Sequence, residues 1–293
     1  MRHNLIKGAA VLSVAGVLAA ATTSAQATVN FSTFVNGSDI AAAEGGNQST
    51  IAFNYTGTGF VGSVYFGPNN NELYSTNLSG GNVKQFGQPI PGFSGEVVVG
   101  VGLGQAGFAK GAVYAGNGSG NQIFEVPSSG GPTLFGTTGV SENIRQIFFD
   151  PGNTFGGKML VTTNAGNVWS FDSSGHPTLI ANVGADTEGM DIASSAFGPY
   201  AGDLLVASEG TGEIHAVTPG GSVLLVATGL TDAETVSTVP LNLGVSGNPL
   251  EGFYVANYPL DIQKAAGDQF AGLQGDVIVT GEFGSNSPVT DLH

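Results

Sequence analysis

Four glutamates, Glu96, Glu142, Glu188 and Glu234, stand at a constant spacing of 46 residues. Two other sets keep step with them. One comprises Asn121-Gln-Ile-Phe-Glu-Val, Asn167-Val-Trp-Ser-Phe and Glu213-Ile-His-Ala-Val, again 46 apart. The other comprises Lys110-Gly-Ala-Val-Tyr-Ala, Gly157-Lys-Met-Leu-Val-Thr and Gly202-Asp-Leu-Leu-Val-Ala, in step to within a residue or two. A fixed period in this range is the mark of a repeat architecture, in which one supersecondary unit recurs and buries its faces against copies of itself.

Each unit reads as four short strands. An acidic residue opens an apolar segment, and a loop such as Asp150-Pro-Gly-Asn or Phe197-Gly-Pro-Tyr follows. A strand such as Met159 to Thr162 comes next, then a tight turn such as Asn164-Ala-Gly166. An alternating strand such as Val168-Trp-Ser-Phe171 leads through a second turn into Pro177 to Ile180. Runs of four to six residues divided by Gly, Asn and Ser are hairpin signals. The 48 glycines supply the positive-φ turn positions these hairpins need. Outside the N-terminal segment no window carries a helical period. Four antiparallel strands in a unit of this length form a β-propeller blade, and ring closure limits exposed sheet edges. A four-strand unit disfavours a β-solenoid; a β-sandwich is the other all-β alternative.

Residues 28–293 divided by the period make about 5.8 units. The expected fold is therefore all-β, a single propeller domain over 28–293 with six blades of about four strands, five being the other count. An earlier unit shows in Gly62-Ser-Val-Tyr-Phe, Asn71-Glu-Leu-Tyr-Ser-Thr and Asn82-Val-Lys-Gln-Phe. A looser late unit combines Leu250-Glu-Gly-Phe-Tyr-Val-Ala-Asn with Gly275-Asp-Val-Ile-Val-Thr. Residues 28–58 are expected to supply a strand that closes the ring.

Residues 1–27 have the layout of a secretory signal: Arg2, His3 and Lys7, an apolar run from Gly8 to Ala21, then Ala25-Gln-Ala27 as a small-x-small cleavage site. The apolar run is shorter than the ~20 residues a membrane span needs, and none follows in the mature chain. Secretion or a periplasmic location is the expectation. The mature part carries five basic residues, Lys84, Lys110, Arg145, Lys158 and Lys264, against 22 acidic ones. So negative a chain is unsuited to nucleic acid, whose phosphates call for clustered Lys and Arg. It contains no cysteine, which removes disulfides, thiolate zinc sites and thiol catalysis together.

Two glycine-rich strings imitate nucleotide-binding motifs. Gly102, Gly104 and Gly107 match the dinucleotide fingerprint, but a strand, Ala112-Val-Tyr, follows where a helix N-terminus is required. Gly152 to Lys158 approaches a phosphate loop, yet Met159 stands where a Mg²⁺-binding hydroxyl should be. Both fall in blade loops by the repeat register. His176 follows a turn and is expected in water, whereas His215 sits in an alternating strand. Neither has a histidine partner at metal-ligand spacing, and no Gly-x-Ser-x-Gly elbow occurs.

The carboxylates remain. Equivalent positions on the inner strands of successive blades lie on one level around the central channel, which places Glu96, Glu142, Glu188 and Glu234 together. Asp186 and Asp232 are also 46 apart, so two blades carry Asp-x-Glu pairs, and Asp191 adds a carboxylate near Glu188. Carboxylates converging on a narrow channel repel one another and require a cation, hydrogen-bond donors or raised pKa values. Ca²⁺, with six to eight loosely arranged oxygen ligands, suits such a set. The competing reading is that each carboxylate staples backbone N–H groups of adjacent strands.

The run Glu188-Gly-Met-Asp-Ile-Ala, the stretch Phe197-Gly-Pro-Tyr-Ala-Gly-Asp-Leu-Leu-Val-Ala-Ser-Glu-Gly-Thr-Gly-Glu-Ile and Pro219-Gly-Gly resemble blades of NHL-type and gluconolactonase-like (strictosidine synthase-like) propellers. They also resemble secreted bacterial propellers that carry a PEP-CTERM sorting tail; no such tail precedes His293. The gluconolactonase-like resemblance implies a metal held by inner-strand Glu, Asn and Asp. The residues it would carry over are the glutamates, with Asn143 beside Glu142. Two functions follow as expectations: an exported non-enzymatic propeller that binds a small molecule, glycan or protein, with Ca²⁺ in its acidic channel, or a metal-dependent lactonase or esterase.

Overall fold

A computed structural model describes residues 29–281 and 289–293; the export signal read in 1–27 lies outside the described residues. Along the chain come β1 (Ser32–Val35), the short helix α1 (Gly37–Ala43), β2 (Thr50–Tyr55), β3 (Phe60–Val64), β4 (Leu73–Thr76) and β5 (Lys84–Phe86). The next units are β6 (Val97–Val101), β7 (Val113–Asn117), β8 (Gln122–Val126) and β9 (Thr133–Thr137), then β10 (Ile144–Phe149), β11 (Met159–Thr163), β12 (Asn167–Phe171) and β13 (Pro177–Asn182). They are followed by β14 (Met190–Ile192), β15 (Leu204–Ser208), β16 (Glu213–Val217) and β17 (Val223–Ala227). The last strands are β18 (Ala233–Thr238), β19 (Gly252–Asn257), β20 (Asp261–Ala266), β21 (Val277–Gly281) and β22 (Val289–Leu292).

These strands form six antiparallel sheets, the blades of a six-bladed propeller. Blades 1 to 4 are β2–β5, β6–β9, β10–β13 and β14–β17, each a simple four-stranded meander. Six apolar clusters hold the ring together, one at each junction. Val61 and Leu73 pack on Val97 and Val113 between blades 1 and 2. Tyr114 and Ile123 meet Ile147 and Met159 between blades 2 and 3. Leu160 and Val168 meet Met190 and Leu204 between blades 3 and 4, and Leu205 and Ala216 meet Val236 and Val277 between blades 4 and 5. The ring closes through Ala265 and Phe253 beside Ile278, and through Val35 and Ile262 on Val64 and Tyr74. The second strands β3, β7, β11 and β15 are buried along their whole length. A neighbouring blade covers each of their faces, so they read as continuous apolar or small-residue runs rather than alternating ones. Among the described residues, no helix is long and apolar enough to cross a membrane.

The last two blades depart from the expected meander. Blade 5 is β18-β21-β22 and blade 6 is β19-β20-β1, so each has three strands among the described residues. The stretches Leu250–Asn257 and Gly275–Thr280, which read as one late unit, therefore belong to different blades. From β18 the chain crosses to blade 6, makes the β19–β20 hairpin and returns to pair β21 with β18. The N-terminal strand expected to close the ring is β1, which pairs with β20. Tyr55, at the end of β2, lies beside Gly252, at the start of β19, in one cleft. Tyr65, bonded to Ser49 before β2, contacts Tyr258 beyond β19. Hence β19 runs counter to β2, and the inserted hairpin breaks both the period and the strand direction.

Candidate functional site

A β-bulge shapes the centre of the site. In β10 the pairing with β11 shifts between Ile144 and Gln146, so Arg145 is the extra residue. In β18 the same shift falls between Ala233 and Thr235, leaving Glu234 as the extra residue. A bulge breaks the alternation of side chains and re-aims one of them. Arg145 thereby reaches both neighbouring blades. Its Nη1 donates to Glu96 Oε2 at 2.7 Å ahead of blade 2. Its Nη2 and Nε donate to Asp186 at 2.7 and 3.2 Å, and Nε lies 3.0 Å from Glu188 Oε1 ahead of blade 4. Residues of three consecutive blades can converge on one side chain only near the axis. Burial pulls against the guanidinium charge, but the Asp186 hydrogen bond and the fields of Glu188, Asp186 and Glu96 outweigh it and hold Arg145 above the ordinary arginine pKa.

One guanidinium does not neutralise this group. Glu188 also meets Glu209 and Glu234, and one carboxylate oxygen from each lies within 4.8 Å of the others. Burial, then Glu234, drives the Glu188 carboxyl up to about 9 against the opposing pull of Arg145. Its backbone is held on both sides: Glu188 N–H donates to the Ala207 carbonyl, and Thr162 Oγ1 donates to the Glu188 carbonyl. Gly189 N–H donates to the Glu234 carbonyl at 2.7 Å, which joins blades 4 and 5 directly. Chemically, the trio could hold a proton or a hard cation.

Of the seven carboxylates marked by sequence, Glu96, Asp186, Glu188 and Glu234 are brought into this group. Glu142 shares their spacing but turns into its own blade, where its Oε2 accepts Thr163 Oγ1–H and Asn167 Nδ2–H, each at 2.8 Å. It is a buried staple of blade 3, with Oε1 lacking a partner among the described residues. Asp191 is a second staple: Oδ1 accepts Ile192 N–H and Oδ2 accepts Thr238 N–H, tying blade 4 to blade 5. Burial pushes its carboxyl up to about 6 against those two backbone hydrogen bonds. Asp232 occupies a turn at φ 46° before β18, outside both groups. Asn143, the possible mixed ligand, instead donates its backbone N–H to Asn164 Oδ1.

Sequence reasoning missed Arg145 and Glu209. Arg145 was legible as the only arginine besides Arg2, three residues beyond a periodic glutamate. Glu209 lies in the turn between β15 and β16 and has no periodic counterpart. The histidines stand as expected: His176 is exposed beside Asp172, and His215 is buried. Both glycine-rich strings lie in loops that lead into strands. In the second, Asp150 accepts the N–H groups of Gly152, Phe155 and Gly157, so that loop is occupied by its own carboxylate.

No protein-family model and no curated protein matches the sequence. Solved structures do match. A putative gluconolactonase superposes with a TM-score of 0.55 at 11% identity over 91% of this chain and 79% of its own. Virginiamycin B lyase from Staphylococcus aureus superposes with a TM-score of 0.51 at 11% identity, over 83% and 69%. A streptogramin B lyase matches with 0.51 at 10% identity, over 83% and 68%. At such identities the likeness is one of fold, and the chain is a six-bladed β-propeller of the architecture these proteins share.

Proposed function

We infer that the protein is an exported binding propeller whose ligand site is the acidic axial group. In this reading Arg145 is a built-in counter-ion for Glu96 and Asp186, and Glu188, Glu209 and Glu234 hold a divalent cation such as Ca²⁺. One observation carries the reading: Glu96, Asp186 and Glu188 converge on a single guanidinium, and one of them, Glu188, still crowds with Glu209 and Glu234 within 4.8 Å. That arrangement costs stability unless something positive binds there. A cation that binds only the folded chain raises its melting temperature by mass action. Melting should rise with Ca²⁺ or Mn²⁺ and fall back with chelator, and Glu188→Gln should remove the response. An unchanged melting temperature with both ions would refute the cation seat.

A second reading is a metal-dependent lactonase or esterase. The fold shared with a putative gluconolactonase and the raised Glu188 carboxyl support it. A perturbed carboxyl in a channel suits proton transfer, and a bound metal would polarise the substrate carbonyl. Hydrolysis of δ-gluconolactone, measured with and without metal, tests it. Full activity in Glu188→Gln would exclude that residue as catalytic.

A further inference from the structure

The inserted hairpin builds a second site that shares no residue with the acidic group. Where β19 runs counter to β2, the two strands enclose a cleft of about 340 Å³, at the small end of ligand pockets. Phe53 and Tyr55 of β2, Phe60 of β3 and Tyr254 of β19 form one continuous aromatic wall. Phe53 stacks on Phe60 at 4.8 Å, Tyr254 lies 5.0 Å from Phe60, and Tyr55 lies 5.5 Å from it. Tyr55 is 52% exposed. Both tyrosine hydroxyls are already engaged, Tyr55 with the Gly57 carbonyl and Tyr254 with the Leu250 carbonyl. The rings are therefore held in place by their hydroxyls and offer a ligand their apolar surfaces.

The opposite wall is polar and also held. Glu251 accepts Gly244 N–H and Ser246 Oγ–H, which fixes its carboxylate at the cleft. Asn248 accepts Leu250 N–H through Oδ1, and its Nδ2 makes no hydrogen bond among the described residues. Lys264 Nζ donates to the Pro249 carbonyl and lies 5.1 Å from the Tyr254 ring, so it props the loop against the aromatic wall.

From this juxtaposition we propose that the cleft binds a neutral pyranose sugar. A pyranose has an apolar C–H face, which fits an aromatic wall, and an edge of hydroxyls, which can donate to a fixed carboxylate and accept from an amide N–H. The Glu251 carboxylate disfavours an anionic ligand. Lys264 beside Tyr254 disfavours a cationic one, since that ring already faces an ammonium. The site rests on the blade 6 insertion and is independent of the axial cation seat.

The test is calorimetric titration of the intact chain with glucose, galactose, mannose, N-acetylglucosamine and their common disaccharides. Tetramethylammonium and glucuronate serve as cationic and anionic controls. At least one neutral sugar should bind, Tyr55→Ala should weaken it tenfold or more, and Tyr55→Phe, which keeps the ring, should stay within threefold. Tyr55 is exposed, so both variants should melt close to the parent. Sugar binding should be the same with Ca²⁺ and with chelator, which separates this site from the axial one. The proposal is overturned if no neutral sugar binds, if Tyr55→Ala leaves sugar binding unchanged, or if only a charged control binds.

Discussion

Replacing Arg145 by Met keeps most of the side-chain stem but removes the charge that three carboxylates share. The cost follows from the burial of each contact. Glu96 and Asp186 are 35% and 30% exposed, so water screens them, and each ion pair contributes about 0.5–1 kcal/mol. Glu188 is only 10% exposed. Breaking a buried pair costs about 3–5 kcal/mol when the remaining charge stays uncompensated. The raised Glu188 carboxyl, however, already holds its proton near neutral pH, so what is lost is a contact between a neutral carboxyl and a charged donor, roughly 2 kcal/mol. The variant should therefore lose about 3 kcal/mol near neutral pH. For a domain of this size that is a fall of about 6–12 °C in melting temperature. The deficit should shrink in high salt, which screens the repulsion among the orphaned carboxylates. Thermal unfolding near neutral pH, followed by circular dichroism at low and high salt, reads the effect. A loss below 2 °C at low salt, or equal losses at both salt concentrations, would refute the reasoning.

Further outcomes follow from the same contacts. Glu44 is fully buried, and both its carboxylate oxygens lack partners among the described residues. Burial, then Glu72, pushes it up to about 7. Together with Glu188 at about 9 and Asp191 at about 6, it makes the folded chain bind more protons than the unfolded one. Stability should then be greatest below about pH 4 to 4.5 and decline as pH rises towards 9, the sign expected for raised carboxyls; a melting temperature that rises across that range would contradict this. Glu44→Gln should remove the Glu44 share of the decline, a gain of about 3 kcal/mol at neutral pH, measured by urea unfolding. Glu142→Ala should cost about 1–3 kcal/mol by stranding Thr163 and Asn167. It should leave any Ca²⁺ response intact, whereas Glu188→Gln should do the reverse. In Gly189→Ala the new Cβ would lie 2.5 Å from Thr235 Cα and 2.7 Å from the Glu234 carbonyl. Unfolding measurements should show a loss of about 1–3 kcal/mol, together with a weaker Ca²⁺ response as Glu234 is pushed away.

The sequence alone determined the blade and its repetition. Turn residues and strand patterning are local, so blades 2 to 4 could be read from Glu96, Glu142, Glu188 and their companion strands almost residue by residue. Constant spacing also placed Glu96, Glu188 and Glu234 at one level, because equivalent points on stacked units share a height. Spacing does not set direction. Glu142 keeps the register yet bends inward, because Thr163 and Asn167 offer it donors inside its own blade. Arg145 reaches the axis through a bulge that exists only in the pairing of β10 with β11. The exchange between blades 5 and 6 was equally hidden, since strands of similar composition can pair within one blade or across two. Which partner wins depends on burial at the ring closure, where Val35 and Ile262 meet Val64 and Tyr74. Only the tertiary structure decides these points, because a bulge, a shared counter-ion and a strand exchange each require partners distant in the chain to be in place.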